Sequence, residues 1–169
     1  MPLLEVGKLK KSRGARVDFS CREMLPPLPV EGEDIRPAQE VEYSLSLTNA
    51  GNAIVVDGMI KVVLLVQCNR CLESFVYPME AQFEETYCDC NLPPSGGTHP
   101  DWVPFSGDQI DIAPEVTKTI LVNLPMRFIC REDCRGLCSL CGADLNNGQC
   151  QCPRDELDPR LDKLKDLLN

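Results

Sequence analysis

Six cysteines fall within 23 residues, at Cys130, Cys134, Cys138, Cys141, Cys150 and Cys152. A thiolate is a soft, charged ligand, so several held together are stable when a metal neutralises them or oxidation couples them. Cys138-Ser139-Leu140-Cys141 followed by Gly142 has the form of a zinc knuckle. In such a turn two thiolates grip one ion, and a glycine lets the backbone fold tightly beneath it. Cys150 and Cys152 can supply the other two corners of a tetrahedron. Between the pairs, Asn146, Asn147 and Gly148 are turn formers that would bring the chain back. Upstream, Cys68-Asn69-Arg70-Cys71 follows the apolar run 62–66 and is knuckle-like too. Joined to Cys130 and Cys134, which the first site leaves over, it makes a second four-thiolate site linking distant parts of the chain. The expected cofactor is therefore Zn2+, two ions per chain. Cys21, Cys88 and Cys90 stay outside this scheme. Disulfides are the competing chemistry, but residues 1–8 lack the apolar core of a signal peptide, and the thiol count is odd at 11.

Such sites need strands and turns to aim them. Residues 3–6 and 17–19 read as two short strands with Ser12, Arg13 and Gly14 turning between them, and residues 24–37 read as a proline-rich acidic loop. Residues 40–49 alternate cleanly, with Val41, Tyr43, Leu45 and Leu47 on one face. Residues 49–52 make a hairpin turn into a strand over 54–67, where Gly58 marks a bulge or bend and the apolar second half implies a central position. After the Cys68 knuckle, Phe75, Tyr77, Met79, Ala81 and Phe83 alternate in a third strand, with Pro78 pointing to an edge. Residues 88–107 read as a loop holding the single histidine, His99, a weak candidate ligand with Cys88 and Cys90. Asp111 can cap a helix running to about Asn123, striped by Val116, Ile120, Leu121 and Leu124. Asp158-Pro159 starts a second short helix, with a stripe of Leu157, Leu161, Leu164 and Leu168. The fold class expected is α+β: a mainly antiparallel β-sheet with one central helix, a C-terminal cysteine-rich zinc-binding segment and a short C-terminal helix. Two units follow, a β-rich domain over 1–128 that includes the Cys68-Cys71 knuckle, and the zinc segment with its helix over 129–169.

Only 5% of the 169 residues are aromatic, so the core must be aliphatic, and metal sites would help a modest core hold together. A net charge of −9 argues against broad, non-specific coating of nucleic acid. Charge is uneven, however. Residues 1–22 carry Lys8, Lys10, Lys11, Arg13, Arg16 and Arg22 against Glu5 and Asp18. A local cationic arm on an acidic body could touch RNA while the body faces basic proteins. No apolar run approaches bilayer length. A soluble, cytoplasmic protein is expected.

The combination resembles the YceD family of large ribosomal RNA subunit accumulation proteins. The resemblance is carried by Cys68-Asn69-Arg70-Cys71-Leu72-x2-Phe75, by Leu121-x2-Leu124-Pro125-Met126, by Cys134-Arg135-Gly136-Leu137-Cys138-x2-Cys141-Gly142-x2-Leu145-Asn146, and by Asp158-Pro159-Arg160-Leu161-x2-Leu164. The thiol-rich portion looks like the Gram-positive and cyanobacterial branch. What this resemblance implies is a bacterial, cytoplasmic factor of ribosome biogenesis, needed for large-subunit ribosomal RNA to accumulate, with that RNA or a basic large-subunit ribosomal protein as partner and no known reaction. Cys88 and Cys90 are additional to the family's usual pattern.

Two other functions compete. Cys134-x3-Cys138-x2-Cys141 has the spacing of a radical S-adenosylmethionine iron–sulfur enzyme, though such enzymes resemble large barrels and only 28 residues follow Cys141 here. A C-x-C and a C-x2-C on one zinc resemble the centre of a redox-regulated chaperone, which mild peroxide would open.

Overall fold

The computed structural model describes residues 3–30, 35–90 and 101–152. In chain order its strands are β1 (Leu3–Glu5), β2 (Arg16–Glu23), β3 (Arg36–Pro37), β4 (Val41–Asn49), β5 (Ala53–Gln67), β6 (Ser74–Asp89), β7 (Val103–Phe105) and β8 (Gln109–Asp111), followed by helix α1 (Ala113–Asn123). The main sheet runs β2-β4-β5-β6-β7, with β3 continuing the β4 edge of β5. All its pairings are antiparallel except β6 with β7, which is parallel. β1 and β8 form a separate antiparallel pair.

The period-two pattern explains the three long strands. Along β4 and β5 one parity is apolar and buried: Tyr43, Leu45 and Leu47 on β4, and Ile54, Val56, Ile60, Val62, Leu64 and Val66 on β5. On β6, Met79, Ala81, Phe83 and Tyr87 extend the same face. Helix α1 covers it with Val116 and Ile120, both fully buried, while Leu121 and Leu124 pack at the margin. The N-cap is Ile112, without a side-chain cap bond, and not Asp111 as expected; Asp111 stands one residue earlier, where its Oδ1 accepts the Ala113 N–H at 2.9 Å. Leu124 is extended, with ψ 140°, as the residue before a proline must be, so the helix ends there. Pro78 lies opposite Val63, where among the described residues β6 has no second neighbour, because β7 pairs only with Tyr87, Cys88 and Asp89.

Several expectations need correction. β2 is longer than residues 17–19 and pairs with β4. It is an edge strand needing one half-buried face, so its polar residues mask it. The proline-rich stretch hides β3, and residues 88–107 hold the end of β6 and all of β7. Such short strands lie below what alternation can reveal. Gly58 is not a bulge, since the register passes through it to Leu45 on one side and Phe83 on the other. A Cβ there would lie 2.1 Å from the Ser44 carbonyl oxygen, so glycine answers a close approach of backbones.

The cationic N-terminal stretch is folded into the body and is no free arm. Leu4, Val6 and Leu9 are buried in the core. Lys10 pairs with the buried carboxylate of Asp89, donates to the Gly107 carbonyl at 2.8 Å and lies 5.5 Å from the Phe105 ring centre. Arg22 pairs with Glu42 at 2.6 Å, and Arg16 lies 3.9 Å from Asp57. The helix expected from residue 158 and the ligand role considered for His99 fall outside the described residues. Among the described residues no helix is long and apolar enough to cross a membrane.

Candidate metal centres

The turn between β5 and β6 is the first knuckle. Its backbone is closed by Cys68 N–H to the Glu73 carbonyl and Leu72 N–H to the Cys68 carbonyl, both at 2.9 Å. Leu72 has φ 61°, a left-handed conformation that glycine usually supplies. The second knuckle repeats the plan. Cys138 N–H donates to the Ala143 carbonyl at 2.8 Å, Gly142 N–H donates to the Cys138 carbonyl at 2.9 Å, and Gly142 has φ 72°.

The eight clustered thiols gather into two groups of four, Cys68, Cys71, Cys130 and Cys134 in an inner group and Cys138, Cys141, Cys150 and Cys152 in an outer one. Within each group the sulfurs all lie within 4.8 Å of one another. All eight are free thiols. In the inner group Cys68 Sγ is 3.9 Å from Cys134 Sγ, and Cys71 Sγ is 3.6 Å from Cys130 Sγ. Four sulfurs on one ion at about 2.3 Å stand about 3.8 Å apart. The donor set therefore fits a metal ion at either group, and each group can hold one.

Packing explains why the inner group forms. After α1 the chain is pinned to the first knuckle by two bonds, Asn69 N–H to the Phe128 carbonyl at 2.8 Å and Phe128 N–H to Asn69 Oδ1 at 2.6 Å. The Phe128 ring is buried and meets Tyr77 edge-on, with centroids 5.4 Å apart. That anchor leaves Cys130 beside Cys71. Beyond it, Leu137 N–H donates to the Arg70 carbonyl at 3.0 Å, and the chain passes so close that a Cβ on Gly136 would lie 2.8 Å from that oxygen. Cys68 is fully buried and Cys134 nearly so.

The sulfurs are already solvated by protein dipoles. Burial would raise Cys68, but the backbone N–H groups of Cys130, Cys71 and Arg70 pointing at its sulfur bring it down to about 6. In the outer group the N–H groups of Cys141 and Leu140 lower Cys138 to about 6. One thiolate beside others keeps its neighbours protonated. Burial, then hydrogen bonds to the neighbouring sulfurs, pushes Cys130 up to about 12. The hydrogen bond with Cys141, then burial, does the same for Cys152. A bound cation relieves that repulsion by displacing the shared protons.

Two functional side chains were poorly visible in the sequence. Asn146, a turn former on its spacing, bridges the groups: its Nδ2 donates to Cys134 Sγ at 3.6 Å and to Asp144 Oδ1 at 2.8 Å, and its Oδ1 accepts the Arg135 N–H at 2.8 Å. Arg70 is exposed on the first knuckle and donates through Nη1 to the Cys134 carbonyl at 2.9 Å. Cys21 packs against the margin of the main core, and neither Cys88 nor Cys90 joins a group.

Comparison with known proteins adds a relationship. The chain is 25% identical over 162 residues to the large ribosomal RNA subunit accumulation protein YCED homolog 1, chloroplastic, of Arabidopsis thaliana, covering 80% of this chain and 50% of that protein. Its counterpart in Zea mays is 24% identical over 152 residues, 71% of this chain and 51% of the relative. An uncharacterized protein of Mycobacterium bovis is 25% identical over 129 residues, with 76% and 62% covered. The chain thus spans about half to three-fifths of the length of these relatives. No solved structure gives a significant match. The family model described as large ribosomal RNA subunit accumulation protein YceD matches residues 56–168, a range that takes in all eight clustered thiols. On that match, over more than half of its length, the chain belongs to the YceD family.

Proposed function

We propose that this chain is a non-catalytic zinc-binding factor of large ribosomal subunit biogenesis that promotes accumulation of large-subunit ribosomal RNA. One Zn2+ is held by Cys68, Cys71, Cys130 and Cys134, the other by Cys138, Cys141, Cys150 and Cys152. Both are closed four-sulfur sites that leave no open position for chemistry; the inner one stabilises the join between the β-rich part, 1–128, and the segment 129–169, and the outer one holds that segment together. The carrying observation is the gathering of eight thiols into two such groups in a chain of the YceD family. The protein works in the cytoplasm, on large-subunit ribosomal RNA or on a basic large-subunit ribosomal protein that its acidic body would complement. Metal analysis of the purified protein should return about two zinc per chain and no iron. Crosslinking in growing cells should recover large-subunit RNA or a large-subunit protein, and depletion should lower large-subunit RNA relative to small-subunit RNA. Recovery of neither partner would remove the assembly reading.

A second reading has one observation in its favour. Cys141 of the outer group is exposed, which suits a redox switch. Release of zinc by mild peroxide with exposure of apolar surface would favour it; zinc retained under peroxide would exclude it.

A further inference from the structure

We propose that the outer edge of β2 is a self-association surface, on which a second copy of this chain pairs its own β2 antiparallel about a two-fold axis through Ser20. Among the described residues β2 is an outermost strand of the main sheet, and no strand lies along its far side. It is eight residues long, so its outer edge presents a row of backbone N–H and C=O groups on which another strand can pair.

The phase of its hydrogen bonds can be read from its start. Asn49 N–H donates to the Ala15 carbonyl, while the Asn49 carbonyl accepts from Gly14, so Ala15 sits opposite Asn49 at a bonded position. Bonded positions recur every second residue. With the register Val17 to Leu47 and Phe19 to Leu45, the odd residues of β2 therefore turn their backbone groups toward β4. Arg16, Asp18, Ser20 and Arg22 turn theirs outward.

Side-chain charge and strand overlap then select among the registers this phase permits: an axis at Val17 would set Arg16 against Asp18, but it would overlap only three residues of β2. An axis at Phe19 would set Arg16 against Arg22, an axis at Asp18 would set Asp18 against itself, and an axis at Arg22 would do the same for that cation. An axis at Cys21 pairs no opposite charges. An axis at Ser20 sets Asp18 against Arg22 of the second copy, twice, with no like charges directly opposed; each Arg22 already meets its own Glu42 at 2.6 Å, and its guanidinium would bridge the two carboxylates. On the core-facing side it sets Phe19 against Cys21. Both are half-buried at the margin of the core, and Val17 beside them is 51% exposed. The second copy extends the apolar layer over this stripe, giving the self-complementary interface of a two-fold dimer.

The test is sedimentation equilibrium of the zinc-loaded chain under reducing conditions, from about 1 µM to about 1 mM. The wild type should associate to a dimer. Ser20→Pro removes an outward N–H while leaving every bond to β4, and should be monomeric with an unchanged melting profile. On a Glu42→Gln background, which leaves no like charge for the new residue to meet within its own chain, Arg22→Glu should weaken the dimer about tenfold or more by opposing Asp18 with a like charge. Exchanging the charges on the same background, Asp18→Arg together with Arg22→Asp, should restore it to within about threefold. A wild type monomeric throughout, a dimer indifferent to both single changes, or a folded charge-exchanged chain that stays monomeric would each overturn the proposal.

Discussion

The two thiol groups are built from the same turn and set in different surroundings. The inner one lies at a sheet corner, with Cys68, Cys71 and Cys134 all buried and two of its ligands contributed across nearly 60 residues of chain. The outer one is drawn from 15 consecutive residues, with Cys141 exposed and its partners only half-covered. The local group has a small loop to close and little core to hold it; the remote group has a large loop and is backed by Phe75, Leu137 and the end of β5. The difference teaches that a similar donor set can serve two ends. The inner site joins parts of a fold, and the outer site shapes a segment that has almost no core of its own.

That contrast can be broken most forcefully at the inner group. Cys68→Ser should release the inner ion and free the chain after α1 from the sheet, lowering the melting temperature by about 10 °C or more, whereas Cys150→Ser should leave the sheet's melting nearly unchanged. Calorimetry of both variants, with zinc counted on each, checks this. Next in size is the bridge between the groups. Asn146→Ala, though it lies in the outer loop, should weaken zinc at the inner group by about tenfold to a hundredfold through the lost bond to Cys134 Sγ, as competition with a chelating dye would show.

Without any substitution, a strong chelator should remove zinc in two phases, the outer ion leaving about tenfold faster than the inner one. A single phase would erase the distinction drawn here. The smallest effect concerns the knuckles themselves. Leu72 is 55% exposed at φ 61°, where Gly142 stands in the other turn. Leu72→Gly relieves backbone strain and loses little packing, so it should stabilise the fold by up to about 1 kcal/mol, read from a denaturant melt.

The long elements were legible because they obey periods that burial enforces. β4, β5 and β6 alternate, the Val116 and Ile120 stripe finds the sheet, and the cysteine spacing already separates knuckles from loops. What stayed hidden depends on partners distant in the chain. Leu3–Glu5 pairs with Gln109–Asp111 across more than 100 residues, and Val103–Phe105 lies parallel to β6; three residues carry too little pattern to announce either. The N-terminal cations looked free because only the fold brings Asp89, Glu42 and Asp57 beside them. Asn146 and Arg70 were under-read for a similar reason, since an amide or a guanidinium shows its role only when the sulfur or carbonyl it serves is in place.

The pinning of Phe128 to Asn69 also has a mechanical side. β6, β7, β8 and α1 all lie on the stretch of chain between those two residues, so the clasp short-circuits them. A pull exerted on the chain beyond residue 134, by a partner gripping the outer knuckle, would be carried straight to the β5–β6 corner. The helix and the small strands would bear none of that load until the clasp gave way.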